Sequence, residues 1–303
     1  MKKYLFIFLV TCSVVLSAAE KPLVVTLHPL LTEMVLRLTD GEVEVFSVFP
    51  VGGDLHEFEP SPGDMVKMQE AVMVIAMGKH LESYLDRLQE NLPESVSIYE
   101  AGRLVPSVKI DPANAIFACC PAHSHGSIDP HWWHSPLAVR RAVRYLGREL
   151  EKILPEHKAE IRERTGEVMA ELKDLNEWAV KELAVIPKQD RKLVTAHAAF
   201  GYFCVEYNFQ AIPVKGINDE RNPSPSYLAE TIDTLKRENI KAVFPETKAN
   251  DAILKSLNEA TGIRLGQSLY ADFIGNADVN GYANLFKYNV NNLVKALGPS
   301  PSE

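Results

Sequence analysis

The first apolar run of the chain spans Tyr4 to Leu16, behind Lys2 and Lys3 and ahead of Ser17, Ala18 and Ala19. A positive start, an apolar stretch too short to remain in a bilayer and a small-residue end predict a secretory signal peptide over residues 1–19, cleaved after Ala19. Cys12 offers lipidation as a rival reading. Thr11 directly before it and the continuing apolar stretch behind it argue against that. No later stretch reaches 18 apolar residues, so the mature chain is expected to be soluble, in the periplasm of a cell that has one.

Beyond the leader, two periods alternate. Apolar runs at Pro22–Leu27, Val43–Phe49, Val72–Met77 and Val96–Tyr99 predict strands, with helical spacing over Leu31–Leu38, Ser61–Ala71 and Leu81–Leu92 between them. The rhythm repeats later: strands at Lys192–Thr195, Ala211–Lys215, Ala242–Phe244 and weakly at Leu265–Leu269, helices at Phe200–Tyr207, Pro225–Glu238, Ala252–Ala260 and Tyr282–Leu297. Strand–helix alternation predicts an α/β fold with one parallel sheet and flanking helices in each half, two Rossmann-like lobes. Between them, Ser135-Pro136 opens a helix to Leu154, and Pro155 starts another to Leu183. The apolar stripe Ile161, Val168, Leu172, Leu175, Ala179, Leu183 marks one face of the second. At ~1.5 Å per residue it spans roughly 44 Å and reads as a rigid strut joining the lobes. The expected division is an N-terminal lobe over 20–154, a connecting helix over 155–185 and a C-terminal lobe over 186–303.

Composition narrows the class. The 303 residues are 46% hydrophobic and 24% charged, ordinary for a globular protein. The net charge of −8, or −10 once Lys2 and Lys3 leave with the leader, argues against a nucleic-acid partner. Cys119, Cys120 and Cys204 remain in the mature chain, too few for a disulfide scaffold and read as packing or loop thiols.

Candidate chemistry lies where strands end, which is where open α/β sheets bind ligands. His56 follows the second strand within DLHEFEP. His131 stands in DPHWW just before a helix. His197 follows the first strand of the second half, and Asp272 follows the last, in SLYAD. Imidazoles with a carboxylate suit Zn²⁺, Mn²⁺ or Fe²⁺.

Five pieces in order, DLHEFEPSPGD (54–64), DPHWW (129–133), TAHAAFGYF (195–203), PSPSYLAETIDTLKRENIKAVFPE (223–246) and SLYAD (268–272), resemble the metal-binding solute-binding proteins of ABC transporters, the cluster A-I receptors for zinc and manganese. The resemblance implies two α/β lobes, a long connecting helix and one divalent metal in the cleft as transported ligand, held by His56, His131, His197 and Asp272. It also implies a transporter permease as partner, a monomer, and no enzyme. Zinc is the first expectation and manganese or iron the alternatives. Glu246 maps near the cleft as a supporting residue, and Glu57 and Glu59 flank His56. The chain departs from the zinc receptors in having only CCPAHSH (119–125) where they often carry a long His-rich loop, and in His134 after the DPH motif. The competing class is a metal-dependent periplasmic hydrolase. Four protein ligands and the absence of a helical HExxH weigh against it, because catalytic zinc keeps a position open for water.

Overall fold

The computed structural model describes residues 20–50, 55–56, 58–109, 128–214, 225–247, 252–272 and 280–299. The leader with Cys12, Glu57 and the 119–125 run lie outside these described residues.

The first half runs β1 (Leu23–Thr26), α1 (Pro29–Thr39), β2 (Glu44–Ser47), α2 (Pro62–Glu70), β3 (Met73–Ala76), α3 (Leu85–Asn91) and β4 (Ser97–Glu100). Its strands are all parallel, in the order β2-β1-β3-β4. The middle strands β1 and β3 are buried along their whole length, which explains their unbroken apolar runs. Two helices follow, α4 (Pro136–Ile153) and, after a 3₁₀ turn at Pro155–His157, α5 (Lys158–Leu183). The second half then repeats the first: β5 (Lys192–Thr195), α6 (Gly201–Tyr207), β6 (Gln210–Pro213), α7 (Pro225–Arg237), β7 (Ala242–Phe244), α8 (Ala252–Thr261), β8 (Arg264–Leu265) and α9 (Tyr282–Leu297). The second sheet is also parallel, ordered β6-β5-β7-β8.

Local chemistry sets several boundaries. Ser61 accepts from the Asp64 N–H while Asp64 accepts from the Ser61 N–H, a capping box with Pro62 opening α2. Two elements depart most from their apolar runs. The helix expected from Leu81 begins at Leu85: after the left-handed run Gly78-Lys79-His80 the chain keeps turning, with Leu81 N–H donating back to the Gly78 carbonyl and the Glu82 carboxylate accepting from the Met77 and Gly78 N–H groups. The last strand stops at Leu265, and Leu269 makes a separate parallel bridge to Glu246.

Each sheet has an outer apolar layer of its own, with Val25, Val74 and Leu88 on the first and Val194, Val243 and Leu254 on the second. The inner faces share one core. It runs from Val24 and Ile75 through Leu146, Leu150, Ile161 and Leu172 to Leu193 and Phe244. The α5 stripe is buried in this core, and α5 packs against α4, α1 and α9, so it touches helices of both halves. The carboxyl ends of both sheets feed loops into a common junction.

Candidate metal centre

Two imidazoles at this junction are built in the same way, each with a buried carboxylate behind it. Asp129 and His131 lie in the short run before α4, and both are fully buried. Asp129 Oδ1 accepts from the His131 backbone N–H at 2.8 Å and pairs with Nδ1 of the ring at 2.8 Å. A carboxylate only accepts, so the proton is placed on Nδ1 and the Nε2 lone pair turns outward. His197 directly follows the β5 end, and Glu246 follows β7. These strands are neighbours across which the strand order reverses, the crevice where open α/β sheets bind ligands. Glu246 Oε1 accepts from the His197 N–H at 2.9 Å, and Oε2 takes Nδ1 at 2.5 Å. Again Nε2 is left facing the junction.

His56, from the segment after β2, and Asp272, beyond the Leu269 bridge, complete the group. His56 Nε2 lies 3.2 Å from His131 Nε2. Asp272 Oδ1 is 3.3 Å from His131 Nε2 and 3.7 Å from His56 Nε2, while Oδ2 is 3.4 Å from His197 Nε2. One ligand-capable atom from each of the four residues lies within 4.8 Å of all the others. His197 Nε2 and Asp272 Oδ1 are buried without a hydrogen bond of their own. Buried polar atoms left so cost stability unless something else engages them, and here both belong to the group of four residues that converge. Three imidazole nitrogens and a carboxylate at such separations form a donor set that fits a divalent transition metal.

The electrostatics agree with that fit. Burial opposes charge on His131, but Asp129 and Asp272 outweigh it and raise its pKa above the usual 6.5. Burial opposes charge on His197 too, and Glu246 with Asp272 overcomes it by more, placing the pKa well above 6.5. For Asp272, burial favours the neutral acid, yet His197 above all, with the His131 and His56 imidazoles beside it, holds its carboxyl well below the usual range. The site therefore holds protons where a dication would displace them. Counting the one carboxylate among the expected ligands understates its negative character, because Asp129 and Glu246 stand directly behind two of the imidazoles.

All four sequence-predicted residues thus meet, and Glu246 stands behind His197. Glu59 does not join them; it pairs with Arg87 at 2.8 Å on the surface. His157 pairs with Glu42 at 3.5 Å, away from the group. Asp129 was overlooked as a functional residue, although an acid two positions before the histidine stands in DPHWW. His28 went unassigned: it caps α1 by accepting from Leu30 N–H at 3.1 Å, and burial pushes its pKa down to about 3.

The sequence profile of the family described as zinc-uptake complex component A, periplasmic (ZnuA), matches residues 24–296. The manganese-binding lipoprotein MntA of Bacillus subtilis is 30% identical over 263 residues, covering 84% of this chain and 83% of that protein. The iron-binding protein YfeA of Yersinia pestis is 27% identical over 284 residues, 92% of this chain and 88% of its own. The solved structure of the periplasmic zinc-binding protein TroA from Treponema pallidum superposes with a TM-score of 0.80, covering 92% of this chain and 100% of TroA; at 23% identity this establishes a shared fold.

Proposed function

Because the chain belongs to the ZnuA family of periplasmic metal-uptake components, we propose that it is the extracytoplasmic receptor that delivers a divalent transition metal to an ABC importer. The observation that carries the reading is the convergence of His56, His131, His197 and Asp272 within 4.8 Å, two from each half of the chain. The metal is the cargo, bound through three Nε2 atoms and the Asp272 carboxylate. Zinc is the metal we assign first, since a nitrogen-rich set of four suits its tetrahedral preference, whereas manganese favours more oxygen. The names of the relatives span manganese, iron and zinc, so the donor set rather than kinship supports that choice.

The same reading gives the chain an exported location, a monomeric state, a lobe–helix–lobe division at about residues 154 and 185, and a permease as protein partner. Binding across the junction ties the two halves together, so release requires the bonds to one half to break when the receptor docks. Elemental analysis of protein from its native compartment, followed by calorimetric competition among Zn²⁺, Mn²⁺ and Fe²⁺, tests the reading. One equivalent of metal, abolished in His131→Ala, is expected. A wild-type protein that binds none of the three ions would sink it.

A further inference from the structure

The segment that carries Asp272 is held from two sides. Within its own half, Leu269 N–H donates to the Pro245 carbonyl at 2.8 Å. Tyr270 exchanges two hydrogen bonds with the Asn289 side chain, at 2.9 and 2.8 Å. One residue further on, the partners change sides. The Ala271 carbonyl accepts from Trp133 Nε1 at 2.8 Å and meets His134 Nε2 at 2.9 Å. A carbonyl can only accept, so His134 Nε2 carries a proton, and the two donors use both lone pairs of that oxygen. Trp133, His134 and Ala271 are all buried, so water does not substitute for these bonds.

His134 sits at the end of the 3₁₀ turn Trp132–His134 that begins directly after His131. The path from one ligand to the next is therefore short: His131, one tight turn, His134, one hydrogen bond, Ala271, Asp272. The ring also stacks on Phe200 with centroids 4.3 Å apart. We propose that His134 is a positioning residue for Asp272, its Nε2–H holding the Ala271 carbonyl so that the adjacent carboxylate stays in register with the three imidazoles. The inference rests on the metal-receptor reading and names a determinant of the same site. His134 touches no metal in this account; it acts through the main chain beside the one carboxylate in the set.

Two substitutions separate the hydrogen bond from the packing. His134→Phe keeps a ring over Phe200 and removes the donor. His134→Gln keeps a donor and gives up the stack. Zn²⁺ titration should find His134→Phe weaker by about 10- to 100-fold, the range for partners that orient a ligand, with His134→Gln within a few-fold of wild type. In an Asp272→Ala background His134→Phe should cost nothing further, because the residue it acts through is gone. An equal loss in both backgrounds, or a loss in His134→Gln but not in His134→Phe, overturns the proposal. Failure of wild type to bind Zn²⁺ strikes the receptor reading instead. For that case, exchange of the Trp133 indole N–H, which shares the Ala271 carbonyl with His134, decides the clamp alone in metal-free protein: faster exchange in His134→Phe than in His134→Gln supports it, and equal protection overturns it.

Discussion

At the scale of single residues, the two supported imidazoles differ in a way that chemistry can read. His197 presents two donors, its backbone N–H and Nδ1–H, to two different oxygens of Glu246. Glu246→Gln has only one oxygen, so either orientation of the amide opposes a donor with a donor or flips the ring to its Nε2–H tautomer, which cannot bind metal. His131 presents both of its donors to the single oxygen Oδ1 of Asp129, which Asp129→Asn retains. Calorimetry should therefore find Glu246→Gln near the upper end of a roughly 10- to 100-fold loss and Asp129→Asn clearly milder; the reverse order would refute the tautomer argument. Protonation follows the same carboxylates. His131 and His197 have raised pKa values, so proton competition with metal begins above the free imidazole value of ~6.5, and binding at pH 7 should release at least one proton, read from titrations in buffers of different ionisation enthalpy. In metal-free protein the raised pair contributes stability that is complete below ~6.5 and lost as pH rises through the folded values. His28 and His134, pushed down to about 3 by burial, act oppositely: they must charge on unfolding and cost stability below ~6.5. Glu82, raised to about 7 by burial, offsets one of those two protons, and Glu33, also raised by burial, offsets part of the other at lower pH. Asp272, held low, adds stability that is lost only as pH falls through its depressed value. Chelated protein should thus melt highest near pH ~6.5; a melting temperature that climbs steadily from pH 5 to 8 would contradict this balance. The proposed ligand histidines were legible in the sequence because they stand inside recognisable motifs, His56 and His197 beyond strand ends and His131 just before a helix. The role of His134 was not, since it depends on a carbonyl 137 residues away.

At the scale of elements, sequence pattern located nearly every strand and helix, and erred where backbone conformation overrode hydrophobicity. Ser61-Pro62 announced α2 because capping is chemistry of neighbours in sequence. The start of α3 was placed too early because Leu81 continues the apolar spacing, while residues 81–84 stay in a turn whose Glu82 carboxylate is taken up by the Met77 and Gly78 N–H groups, a bond the apolar pattern does not advertise. The crossing of α4 and α5 was also hidden. Gly147 looks like a weak point in a helix, where Ala ordinarily stabilises by ~0.5–1 kcal/mol. Here a Cβ at Gly147 would run into Oγ1 of Thr165, which is itself buried and donates to the Ile161 carbonyl at 2.7 Å. The sign reverses: Gly147→Ala should destabilise by roughly 1–3 kcal/mol, the usual cost of overpacking. Adding Thr165→Ala should recover part of that loss, since it removes the obstructing atoms. Urea unfolding of the two variants checks the pair, and a stabilised Gly147→Ala single variant would show that the helices have room to spare.

At the scale of the whole molecule, the question is whether the halves behave as two bodies or one. Two similar sheets suggest independent domains, yet their inner faces share a core with α4 and α5 between them. Stripping one half away would expose Ile161, Leu172 and Leu175 along α5, so neither half keeps its apolar surface covered without the other. Metal-free protein should therefore unfold in a single calorimetric transition. The proposed ligands come from both halves, and a metal bound among them favours only the state in which the halves are together. At a free metal concentration of 1,000 times Kd, mass action adds about 4.1 kcal/mol. For a chain of this size, with roughly 2–4 °C per kcal/mol, the melting temperature should rise on the order of ten degrees. The shift should move the whole transition and vanish on chelation. It should shrink in Asp272→Ala, which keeps His197 as the last ligand from the second half. Were the halves thermally independent, scanning calorimetry would resolve two transitions, with metal raising both only up to the point where the weaker half lets go. A single peak that metal displaces intact is the outcome the shared core requires.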